Sequence, residues 1–141
     1  MTRRRPGRPH KAARPAAAVP PERAARGAQG EALAAEFLRR AGYSIEAQNL
    51  RTKDAEIDLL ARRRRLWIAV EVKTRREHPA PERCLEPAQR ARLVRALSAL
   101  APVLRPSPSG LRVDVIAVRL PDGAAPELLH FAGHEFDPPS R

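Results

Sequence analysis

Residues 66–73 (LWIAVEVK) constrain the fold more than any other stretch of the chain. Leu66, Ile68, Val70 and Val72 recur at every second position, which is the period of a strand and not of a helix. The opposite face presents Trp67, Ala69, Glu71 and Lys73. The pattern on either side completes an α-β-β-β-α-β order. Residues 22–41 place Leu33, Ala34, Phe37 and Leu38 at helical spacing, and Gly42 is a suitable stop. Residues 43–49 and 56–61 read as strands. Residues 88–101 read as a helix with Leu93, Leu97 and Leu100 on one side and Pro87 at its start. Residues 111–118 form another strand, and a short one is expected at 127–131.

The length, 141 residues, suits one domain, and a hydrophobic fraction of 43% permits a modest, Ala-rich core. No apolar run approaches the roughly 18 residues of a membrane span. The lone cysteine, Cys84, excludes an internal disulfide scaffold and favours a cytoplasmic location. A net charge of +11 points to a polyanionic partner, nucleic acid before a membrane surface. That charge is uneven: residues 1–26 hold eight basic side chains and one acid, and the remainder carries only +4. The first stretch is also rich in proline and poor in large apolar residues, so it cannot offset its ordering entropy. It has no apolar segment like that of a secretory signal, although an Arg-rich transit peptide shares its composition. The expected organisation is a disordered basic arm over 1–21, a domain over 22–134 and a flexible tail over 135–141.

The chemistry concentrates on the two middle strands. Glu71 and Lys73 are two residues apart and point the same way. On residues 56–61, Glu56 and Asp58 share a face while Ile57 and Leu59 face away. If Ala61 and Leu66 close a hairpin around Arg62–Arg65, paired residue numbers sum to 127. Asp58 and Glu71 then become diagonal neighbours, about 7–8 Å apart at Cα level. Two carboxylates at that spacing can share a hard cation such as Mg²⁺, and the ammonium of Lys73 can serve an attacking water or a phosphate oxyanion. Such a group suits phosphodiester hydrolysis. Read structurally, Glu71 and Lys73 are an ordinary ion pair on a solvated face. Lys73 weighs against that reading, because this chain uses arginine for nearly every other cation and arginine cannot lose a proton.

The sequence resembles the YraN-like family of bacterial endonuclease-like proteins over about residues 27–131. The matching residues are Gly27-Ala28-Gln29-Gly30-Glu31, Ala34, Phe37-Leu38, Gly42-Tyr43, Asn49, Arg51, Glu56-Ile57-Asp58-Leu59, Val70 to Arg75, Asp114 to Val118 and His130. The resemblance implies a restriction-endonuclease-like αβββαβ core, similar to Holliday-junction resolvases, with a mixed central sheet flanked by helices. It also implies that Asp58 and Glu71 bind metal, that Lys73 completes the Glu-x-Lys pair, and that Glu31 is a third carboxylate. By its position alone Glu31 is a helix-surface residue. The chain departs from the family at Ala55, where Gly is usual, at the Arg62–Arg65 turn, and at Gln89, where a Lys is usual.

The resulting expectation is a nuclease dependent on Mg²⁺ or Mn²⁺. Glu31, Asp58, Glu71 and Lys73 would be catalytic, the three carboxylates would hold the metal, and Arg51, Arg75 and Arg76 would contact nucleic acid, with DNA the expected partner and branched DNA among its forms. A homodimer is compatible with such an activity. The rival expectation is a non-catalytic nucleic-acid-binding module on the same fold. Trp67 and Tyr43 are expected in the core, and His130 in a structural role. Cys84 has no neighbouring His and is given no catalytic part.

Overall fold

A computed structural model describes residues 21–77 and 85–140. The basic arm, apart from Pro21, and Cys84 lie outside the described residues. The elements are α1 (Pro21–Arg40), β1 (Ser44–Arg51), β2 (Glu56–Arg63), β3 (Leu66–Arg75), α2 (Pro87–Leu100), β4 (Gly110–Arg119) and β5 (Glu127–Phe131), with a short 3₁₀ turn at Ala101–Val103. Each expected element is present, and most of the strands run one to two residues further than their side-chain pattern announces.

The five strands form one sheet in the order β1-β2-β3-β4-β5. β3 and β4 are parallel, and every other pair is antiparallel. A parallel pair needs a crossover, and α2 supplies it. α1 covers one face, where Ala34 and Leu38 pack on Leu59, Ile68, Val70 and Ile116. α2 covers the other, where Leu93 and Leu97 pack on Leu60, Trp67, Ala69 and Val113. The "polar" face of β3 is therefore polar only at its end. Trp67 and Ala69 are buried, and the Trp67 indole donates to the Pro106 carbonyl at 2.8 Å. Glu71 and Lys73 emerge beyond the last core residue.

α1 ends where its sequence dictates. Gly42 takes a φ of +96°, a left-handed conformation that costs glycine little. The Tyr43 N–H then reaches the Leu38 carbonyl at 2.9 Å and the Gly42 N–H reaches that of Arg39 at 3.0 Å, which satisfies carbonyls the helix leaves open.

Two expectations need correction. First, the β2–β3 numbers sum to 129, with Arg63 opposite Leu66 and Leu59 opposite Val70. The turn is only Arg64-Arg65, with Arg64 at a φ of +57°. Arg62 and Arg63 extend the strand because each finds a partner: Arg62 bonds Glu46 at 3.1 Å and lies over the Trp67 ring, while Arg63 lies 4.0 Å from the centre of the Tyr43 ring. A shift of two keeps the faces and carries Asp58 towards Glu71. Second, Ile57 and Leu59 do not share a face. Ile57 joins the core under α2, and Leu59 the core under α1. The regular ladder ends at Leu59–Val70, so strict alternation fails just before it. Beyond β5, Phe136 exchanges two 2.9 Å backbone hydrogen bonds with Leu111 and packs on the core.

Candidate functional site

Where the β2–β3 ladder stops, the Asp58 carboxylate continues it. Its Oδ2 accepts the backbone N–H of Val72 at 2.8 Å. This bond holds Asp58 at the end of β3. Glu71 and Lys73 flank Val72, and their side chains meet, with Nζ 3.2 Å from Oε2. Lys73 also donates to Gln89 Oε1 on α2 at 3.3 Å. Asp58, Glu71, Glu56, Gln89 and Arg92 line one concave pocket on the α2 side.

Glu31 approaches from the α1 side. It lines a second cleft with Arg26, Thr74, Arg75 and Arg76. Its carboxylate takes a hydrogen bond from the side chain of Asn49, a residue held at a φ of +49° on β1. The approach of α1 to β3 is set by Gly30. A Cβ there would stand 2.0 Å from Thr74 Oγ1, so only glycine lets the helix come this near.

The carboxylates sense one another. Burial, then the charge of Glu71, pushes Asp58 up to about 7, against the opposing Val72 hydrogen bond. Burial also raises Glu31; Asn49 opposes that, and Glu56 and Glu71 add to it. The donors are all hard oxygens of like charge, only Glu71 among them being paired with an ammonium, which is the chemistry that suits a hard divalent cation. Among the described residues, however, no three His, Cys, Asp or Glu side chains stand close enough to hold a metal ion as they are. Asp58 and Glu71 share a pocket, while Glu31 lines a separate cleft.

The expected nucleic-acid contacts separate. Arg75 and Arg76 border the Glu31 cleft. Arg76 is 3.9 Å from Asp122, in an exposed pair of little strength. Arg51 is exposed at the end of β1, where it pairs with Glu56 in the ladder.

Sequence reasoning missed a second polar cluster on the α1 face. Asp114, 1% exposed, takes two 2.8 Å bonds from Arg112, one of 2.8 Å from His130 Nε2 and one of 3.0 Å from the Gly133 N–H. Arg112 also reaches the Tyr43 hydroxyl at 3.1 Å. Burial alone would raise Asp114, but the bonds from His130, Arg112 and Gly133 outweigh it and leave the carboxyl below its ordinary value. The cluster ties β4 to β5 and to the turn after α1. In the sequence, Tyr43, Asp114 and His130 stand out only as matches to the family, and the Arg112/Asp114 spacing on one strand face is the local signal that joins two of the partners.

The strand order, the one parallel pair and the helix on each face together fit a restriction-endonuclease-like α/β core. The profile of the family described as "Uncharacterised protein family UPF0102" matches residues 30–118, and the chain belongs to this family, the YraN family that its motifs resemble. It is 40% identical to the UPF0102 protein of Syntrophotalea carbinolica over 79% of this chain and 92% of that one. It is 41% identical to the UPF0102 protein of Symbiobacterium thermophilum, over 69% of this chain and 85% of that one. It is 37% identical to that of Leifsonia xyli subsp. xyli, over 76% and 92%. No helix among the described residues is long and apolar enough to cross a membrane.

Proposed function

We propose that the protein is a metal-dependent endonuclease that hydrolyses phosphodiester bonds in DNA, with branched DNA among its substrates. The observation that carries this reading is the meeting of Asp58, Glu71 and Lys73 where β2 parts from β3. Asp58 and Glu71 would hold Mg²⁺ or Mn²⁺, with Glu31 as third carboxylate from α1. When bound, such a cation supplies Lewis-acid stabilisation of charge on the phosphate. Lys73, turned by Glu71 and Gln89, is placed to donate to a phosphate oxygen or to orient the attacking water. Arg75 and Arg76, beside Glu31, would carry the neighbouring backbone, with Arg51 as a further contact. The single cysteine, which suits a reducing compartment, supports a cytoplasmic location for this activity.

Supercoiled, branched and single-stranded DNA should be cut in the presence of Mg²⁺ or Mn²⁺. Cleavage that survives Asp58→Ala and Glu71→Ala would falsify the assignment.

One observation favours a second reading, a non-catalytic nucleic-acid-binding module. No three metal-ligating side chains are gathered among the described residues. Salt-sensitive DNA binding with no calorimetric signal for Mg²⁺ or Mn²⁺ would select it.

A further inference from the structure

Helix α2 forms one wall of the acidic pocket with Gln89, Arg92 and Leu93. Leu93 is buried, which fixes the rotation of the helix. Gln89 lies one turn before it on the same side, and Arg92 stands at the exposed rim. The three arginines of α2 have different surroundings. Arg95 is 3.8 Å from Asp54. The guanidinium of Arg90 lies 3.3 and 3.4 Å from where a Cβ on Gly133 would stand. Arg92 alone of the three lines the pocket of Asp58 and Glu71, and among the described residues it makes no hydrogen bond or ion pair.

A pocket walled by Glu56, Asp58 and Glu71 repels a phosphate. A cation held by the carboxylates would relieve part of that repulsion on their side. The helix wall still needs a donor that faces the incoming anion. At Gln89 the amide oxygen accepts from Lys73, and the remaining amide N–H groups are neutral donors that bring no charge to attract the anion. Arg92, three residues on, can present two parallel N–H groups to two phosphate oxygens.

We propose that Arg92 is the substrate-binding residue that receives the phosphate group entering this pocket, an assignment that rests on the phosphodiesterase reading above. It makes α2, and not only the ends of β2 and β3, part of the substrate-recognition surface. Because Arg92 is exposed and unpaired, its replacement leaves the fold intact.

The test is equilibrium binding of a fluorescent single-stranded and a fluorescent duplex DNA to the full chain over a range of salt, with cleavage measured in parallel. The proteins are wild type, Arg92→Ala, Arg92→Lys and Arg40→Ala. The last removes one exposed charge near the far end of α1. Arg92→Ala should weaken binding about tenfold and lower the slope of log K against log salt by about one. Arg92→Lys should keep the slope and recover part of the affinity, and Arg40→Ala should change neither. If the wild type cuts DNA and Arg92→Ala binds and cuts like Arg40→Ala, the assignment of Arg92 is overturned while the nuclease reading stands. If the wild type cuts nothing but Arg92→Ala alone loses binding, the nuclease reading fails and Arg92 stands as a phosphate ligand. A wild type that binds no DNA overturns both.

Discussion

The carboxylate of Asp58 accepts the backbone N–H of Val72 at 2.8 Å, and through it β2 stays joined to β3 after their ladder has ended. The same carboxyl is raised to about 7 by burial and by Glu71. Its bond favours the charged form, while its surroundings favour the neutral one. A carboxyl raised on folding stabilises fully below its unfolded value near 3.9, and that contribution is lost as pH rises through about 7. Asn at this position keeps an acceptor oxygen and removes the charge. Asp58→Asn should therefore gain on the wild type between pH 5 and pH 8, by on the order of 2 kcal/mol. Urea melts at the two pH values check this, and a stability difference that does not change with pH would contradict it.

Divalent cations should reverse that ordering. On the proposed function, Mn²⁺ at pH 8 raises the melting temperature of the wild type, and its effect fades as pH falls below about 7, where Asp58 takes up its proton. Asp58→Asn and Glu71→Gln should show little response. Thermal scans with and without Mn²⁺ give the answer directly, and an equal response in all three proteins would place the cation elsewhere.

Asp114 behaves in the opposite sense. Its carboxyl is held below its ordinary value by His130, Arg112 and the Gly133 N–H against the effect of burial. Its contribution is present above the unfolded value near 3.9 and disappears as pH falls through the lower folded value. Asp114→Ala leaves Arg112 half-buried without its carboxylate and should cost about 3–5 kcal/mol. Asp114→Asn should cost less and flatten the acid limb of the stability curve. Gly133→Ala should resemble Asp114→Ala, because its Cβ would stand 2.2 Å from the Val113 carbonyl oxygen.

Gly30 links helix packing to the site. Its position against Thr74 lets α1 bring the next residue, Glu31, to the cleft beside Thr74 and Arg75 of β3. Gly30→Ala should destabilise by about 1–3 kcal/mol through overpacking. Thr74→Ala removes Oγ1 and Cγ2 and should restore part of that loss in the double variant. A double-mutant cycle that shows no coupling would mean the helix shifts freely.

The sequence made the elements legible because periodicity is local. Leu66, Ile68, Val70 and Val72 announce β3 without reference to the rest of the chain, and Gly42 announces the end of α1. The hairpin register was not local. It depended on Arg62 and Arg63 finding Glu46, Trp67 and Tyr43, which lie on other elements. Gln89 could be read as a lost lysine, but its bond to Lys73 spans the β3–α2 connection and has no pattern of its own. The Arg112–Tyr43 bond joins residues 69 apart in the chain. Glu31 entered only through the family resemblance, since a carboxylate on a helix reads as solvated until its half-burial is known.

On the proposed function, Lys73 offers the sharpest separation of catalysis from binding. Its ammonium is shared between Glu71 at 3.2 Å and Gln89 at 3.3 Å, so its direction is fixed from two elements. A charge that merely attracts DNA could be replaced by arginine. A group that donates to one oxygen or orients one water could not, because the longer, planar guanidinium does not fit the same position. Lys73→Arg and Lys73→Ala should both lower the rate of cleavage by about 10²-fold or more, while Lys73→Arg leaves DNA affinity near that of the wild type. Gln89→Ala should lower the rate by a smaller factor, because it frees Lys73 without removing it. Single-turnover cleavage and binding measured on the same samples separate the two effects. Full activity in Lys73→Arg would reduce Lys73 to an electrostatic contact.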